Sequence, residues 1–109
     1  MIQTLRPFRV VLLVLCAGVG NTALAHSPIG ECKAIDAEQI RCTGGYSDGS
    51  SAPGMVLDVI GHDETILVAG KLGADSTLTF KKPDTGFYVL LDAGPGHVVE
   101  IEQADIKAP

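Results

Sequence analysis

The sequence predicts an all-β protein: a small antiparallel β-sandwich of seven strands, pinned by one hairpin disulfide. Three observations carry that reading. Short apolar-rich runs recur at roughly 8–12-residue intervals, separated by clusters of Gly, Pro, Asp and Ser. No segment holds an apolar stripe of useful length at helical spacing. Two cysteines, Cys32 and Cys42, flank a short turn and can meet across it.

The first 25 of the 109 residues read as a signal peptide outside the fold. Arg6 and Arg9 give a positive leader, residues 10–19 are apolar, and Ala23-Leu24-Ala25 makes a small-x-small cleavage site. The apolar run is too short to span a bilayer, so no membrane insertion is expected after cleavage. Cys16 follows Leu15, whereas a lipoprotein signal places its cysteine after a small residue. Residues 26–109 then form a single β-sandwich domain, periplasmic or secreted. Cleavage removes two arginines and none of the 13 acids, so the domain is two charges more negative than the whole chain's −5. That acidity argues against nucleic acid and anionic lipid as partners.

The strands follow in order. Residues 31–35 and 39–43 make the first hairpin, around Asp36-Ala37-Glu38. Residues 44–54 are rich in Gly, Ser and Pro and read as a long loop. Residues 55–60 and 65–71 form the third and fourth strands, joined by a turn at Gly61-His62-Asp63-Glu64. A turn over 72–76 leads to 77–81, where threonine alternates with Leu78 and Phe80, the cleanest period of two in the chain. After Lys82-Pro83-Asp84-Thr85-Gly86 come residues 87–91, the turn Asp92-Ala93-Gly94-Pro95-Gly96-His97, and residues 98–102. The expected inward set is Val56 or Leu57, Leu67, Leu78, Phe80, Phe87, Val89, Val99 and Ile101.

In an exported domain an even pair of cysteines favours a disulfide, and closing a loop of this size contributes about 2–3 kcal/mol. Facing Cys32 with Cys42 also opposes Lys33 to Arg41, a small like-charge cost. A two-thiolate metal site is the alternative, but zinc sites favour closer cysteine spacing. The cysteines are too near in sequence for an inter-sheet bridge of the antibody kind, and the chain has no tryptophan. The expected architecture is therefore a smaller transthyretin-like or Ig-like sandwich.

No nucleophile elbow, P-loop or dinucleotide fingerprint is present, and Asp48-Gly49 lacks the acidic spacing of a calcium loop. The chain is not expected to be an enzyme. Its chemistry lies in histidines. Cleavage after Ala25 leaves His26 with a free α-amine beside its own imidazole, a pair that chelates one metal ion. Nitrogen ligands in a tetragonal array suit Cu(II) or Ni(II). The bland alternative is an arbitrary, disordered first residue. His97 shares alternation with Val99 and Ile101 and is expected at the core side of the sheet rim, as a ligand or a partly buried core histidine. Asp92 is its expected supporting partner. His62 reads as a solvated turn residue.

The stretch Gly45-Tyr46-Ser47-Asp48-Gly49-Ser50-Ser51-Ala52-Pro53-Gly54 resembles one in small periplasmic accessory proteins of nickel and cobalt uptake transporters. Asp92-Ala93-Gly94-Pro95-Gly96-His97 is similar to the acidic, glycine-rich, histidine-ended turn before their closing strand. A histidine at the processed N-terminus is a further likeness. The resemblance implies a sandwich fold and a link to transition-metal handling, with His26 and His97 in the ligand role; taken with the nitrogen donors, the expected ion is Ni, Co or Cu. It implies a membrane metal transporter, or another periplasmic protein, as partner. The competing expectation is a non-catalytic module contacting protein or carbohydrate through Tyr46, Ser47 and Asp48, with no metal. A third is a periplasmic subunit that docks on a membrane partner and binds no metal itself.

Overall fold

The computed structural model describes residues 27–109; the expected signal peptide and His26 lie outside the described residues. Seven strands are present: β1 Pro28–Ala34, β2 Gln39–Tyr46, β3 Val56–Gly61, β4 Ile66–Lys71, β5 Thr77–Lys81, β6 Phe87–Asp92 and β7 Val98–Glu102. A 3-10 turn, Gln103–Asp105, follows β7. The strands form two antiparallel sheets, β1-β2-β5 and β4-β3-β6-β7. This is the expected seven-stranded sandwich.

Sequence alternation explains which face each strand buries. Ile40 and Cys42 of β2, Leu57 and Val59 of β3, and Phe87, Val89 and Leu91 of β6 all point inward and are buried. Phe80 of β5 meets Phe87 of β6 edge-on, ring centroids 6.5 Å apart, so this pair links the two layers. Cys32 and Cys42 face each other in the β1–β2 ladder and are joined by a buried disulfide. The same register sets Lys33 opposite Arg41, as expected. Arg41 lessens that cost by donating from Nε to Thr79 Oγ1 at 3.2 Å.

Four expectations are corrected. Gly44, Gly45 and Tyr46 continue β2 instead of opening a loop, and β1 begins three residues earlier, at Pro28. The glycines there serve packing: a Cβ on Gly44 would lie 2.6 Å from Leu72 Cδ1, and one on Gly30 would run into the Leu91 side chain. Leu67 is 40% exposed, because an irregularity in the β3–β4 register gives β4 one extra residue and Val68 takes the inward place. His97 is exposed and precedes β7, so alternation within that strand does not govern it. Finally, Ala52, Met55 and Leu72 join the core from segments that read as loop or turn, or at a strand end.

The sandwich is closed on one side by the end of the chain. Ala34 donates its amide to the Lys107 carbonyl at 2.9 Å, and the Lys107 amide reaches the Cys32 carbonyl at 3.1 Å. This short parallel bridge covers the outer edge of β1.

Candidate functional site

One end of the sandwich collects most of the residues singled out in the sequence. β6 and β7 pair from Asp92↔Val98 at this end to Tyr88↔Glu102 at the other. The loop between them is closed by the Ala93 amide on the His97 carbonyl and the His97 amide on the Gly94 carbonyl, both 2.8 Å. Gly94 and Gly96 have φ of 120° and 80°, a region open to glycine at no steric cost. Asp92 is half-buried, and its Oδ1 accepts the Gly94 amide at 2.8 Å. The carboxylate thus shapes the loop backbone that carries His97, instead of holding the imidazole as expected.

The chain's first described residue lies at this same end. Gly30 of β1 packs on Leu91, whose ladder partner is Val99, and the opposite end of β1 lies against Lys107. Pro28 and Ser27 therefore sit at the end where β6 gives way to the His97 loop. Ser27 is held there by two bonds to the β2 turn: its carbonyl accepts the Ser47 amide at 2.8 Å, and its amide donates to Ser47 Oγ at 3.3 Å. That turn is tightly built. The Tyr46 amide donates to the Ser50 carbonyl at 3.0 Å, and Asp48 Oδ1 accepts the Ser50 amide at 2.9 Å and its hydroxyl at 2.6 Å. Tyr46, Ser50 and Ser51 help line a groove of about 520 Å³, with Ile29, Thr43 and Asp75 on its other walls.

His62 is remote from this cluster. It lies in the β3–β4 turn, exposed and against Gly86. β3 and β6 run from Val56↔Asp92 at one end to Gly61↔Phe87 at the other, about 16 Å of strand. His62 and His97 cannot share an ion, in keeping with its reading as a solvated turn residue. Among the described residues no group of three or more His, Cys, Asp or Glu side chains could hold a metal ion.

One element escaped sequence reading altogether. Ser76 is buried, with φ of 65°. Its Oγ accepts the Ala52 amide at 2.8 Å and its carbonyl accepts the Gly44 amide at 3.0 Å. It thus fastens the segment after β2 to the β4–β5 turn and supports the groove wall. Nothing in the local sequence marks this serine, because both partners are distant in the chain.

Comparison with family models, curated proteins and solved structures finds no match to this chain. The functional reading therefore rests on the geometry and on the resemblance of its turns.

Proposed function

We propose that this protein binds a divalent transition metal, Ni(II), Co(II) or Cu(II), after export, and hands it on without catalysing a reaction. One observation carries the reading: Ser27, the residue after His26, lies at the end of the sandwich that presents the exposed His97. The ion is cargo. The amine and imidazole of His26 would grip it and His97 would complete the set, while Asp92 stiffens the loop behind His97. The buried disulfide suits an oxidising compartment. A membrane metal transporter is the partner that such a carrier serves.

Calorimetric titration of the protein processed at Ala25 with Ni(II), Co(II) and Cu(II) tests this. Adding one residue before His26 separates amine from imidazole and should abolish tight binding. His97→Ala should weaken binding about tenfold or more and leave the fold intact, since the side chain is exposed. Affinity should rise with pH up to about 8, as the amine loses its proton. Equal binding by the extended N-terminus would overturn the reading.

A second reading is favoured by the groove beside Tyr46. A non-catalytic contact module for protein or carbohydrate would use its hydroxyls and the apolar wall of Ile29. In that case metal titration is flat, and Thr43→Arg on the groove wall removes partner binding.

A further inference from the structure

We infer that the outer face of the four-stranded sheet docks a cationic segment of another protein, one that carries apolar side chains among its lysines or arginines. Leu57 and Val59 of β3 and Phe87, Val89 and Leu91 of β6 face the core. The alternate positions Asp58, Ile60, Tyr88 and Leu90 therefore face away from β1-β2-β5. Ile60 is only 8% exposed, yet it stands outside the core cluster. Its ladder partners are Tyr88 and Ile66, the latter 57% exposed. One row along, Leu90 lies between Asp58 and Glu100. A second apolar cluster thus sits on the outside of the sandwich.

Charge selects the occupant. Asp58 is half-buried on the inner strand β3, and Glu100 and Glu102 of β7 stand beside Leu90 and Tyr88. None of these three carboxylates makes a hydrogen bond or ion pair among the described residues. Glu64 and Asp92 are already engaged, by the Tyr88 hydroxyl and the Gly94 amide. Loss of solvent, then the charges of Glu64, Glu100 and Glu102, hold the Tyr88 hydroxyl above its usual 10.0, so these carboxylates bear on one part of the face. A neutral apolar partner would strand Asp58 away from water without a counter-charge. An anionic partner, or a second copy seated face to face, would oppose like charges. Nor is the acidity spread evenly: the outer face of the other sheet presents Lys33, Arg41 and Lys81, and its Glu31 is paired with Lys107 at 3.0 Å. That basic face on a second copy would set Thr43, Thr77 and Thr79 against Leu90 and Ile60, a poor apolar match. The occupant is therefore a different protein. The docking face ends at Asp92↔Val98, where the His97 loop begins, so its partner lies beside the proposed metal.

The probe is an amphipathic helical peptide of leucine and lysine, titrated into the exported protein by fluorescence anisotropy, with amide shifts mapped by NMR. It should bind at least about tenfold tighter than the same peptide with glutamate for lysine or glutamine for leucine. The shifts should gather on β3, β6 and β7. Asp58→Asn should weaken binding about tenfold, as should Glu100→Gln with Glu102→Gln, and neither should lower the melting curve, because these carboxylates hold nothing in the fold. Leu90→Ser should weaken it through lost apolar contact, whereas Lys33→Gln on the opposite face should leave it unchanged. A Kd weaker than about 1 mM, binding that survives the Asp58 and Leu90 variants, or shifts confined to another surface overturns the inference. So do equal binding by the glutamine peptide, binding to phosphatidylcholine vesicles, and self-association through this face. The metal titrations need neither the peptide nor these variants, so the two readings fail separately.

Discussion

Five aspartates bend this chain. Asp36, Asp48, Asp63, Asp75 and Asp92 each accept, through Oδ1, the amide two residues further on. All five lie in turns between successive strands or at the strand end that opens one, where a carboxylate can stand in for a backbone carbonyl. Five of the chain's 13 acids thus serve local turn geometry. Thr77 strengthens one case by giving both hydroxyl and amide to Asp75, and those bonds hold the Asp75 carboxyl below its usual 3.8. The Thr65 amide and hydroxyl do the same for Asp63. A depressed carboxyl pKa contributes stability in full above the ordinary value and loses it as pH falls through the lower folded value. Melting curves should therefore shift downward only below about pH 4. Asp75→Ala should lower the denaturation midpoint at neutral pH and flatten that acid limb. Asp75→Asn should retain most of the midpoint, because an amide oxygen also accepts.

At the scale of strands, glycine decides β1 and β2. Gly30 and Gly44 lie opposite one another in the ladder, and both admit side chains from beneath, Leu91 and Leu72. Gly30→Val should cost about 1–3 kcal/mol through overpacking, read from urea denaturation. Gly49→Ala should act differently. Nothing crowds that position, and its φ of 91° makes any loss one of backbone strain alone. Here lies a limit of reading from sequence. Alternation in residues 77–81 announces β5, and the cysteine spacing announces the β1–β2 register that the ladder shows. Gly44-Gly45, by contrast, carries the same letters whether glycine makes a turn or makes room. The misplaced Leu67 has a similar origin: one extra residue reverses the facing of all that follows, and no residue type marks the insertion. Extending the period of β7 back to His97 points it inward, but the loop that carries it does not obey that period.

For the molecule as a whole, the disulfide ties neighbours within one sheet and leaves the two layers to apolar packing. Cys32→Ala with Cys42→Ala should cost about 2–3 kcal/mol, measured as the difference in urea midpoints between oxidised protein and the double variant. The layers should still associate, because Leu57, Val59, Phe87, Val89 and Leu91 make their contact without sulfur. Strand order explains why the candidate site was less legible than the fold. Gathering Ser27, the Tyr46 turn and the His97 loop at one end depends on β1 crossing Leu91, a meeting of residues about sixty apart in the chain. Composition and periodicity speak only of neighbours.

Lys107 beside β1 has a consequence for how the protein is made. β1, the first strand, gains its outer neighbour only from a segment beyond β7, so that edge stays open until the rest of the sandwich has formed. Removing residues 106–109 would take away the Lys107 bridge and leave that edge uncovered in the folded protein.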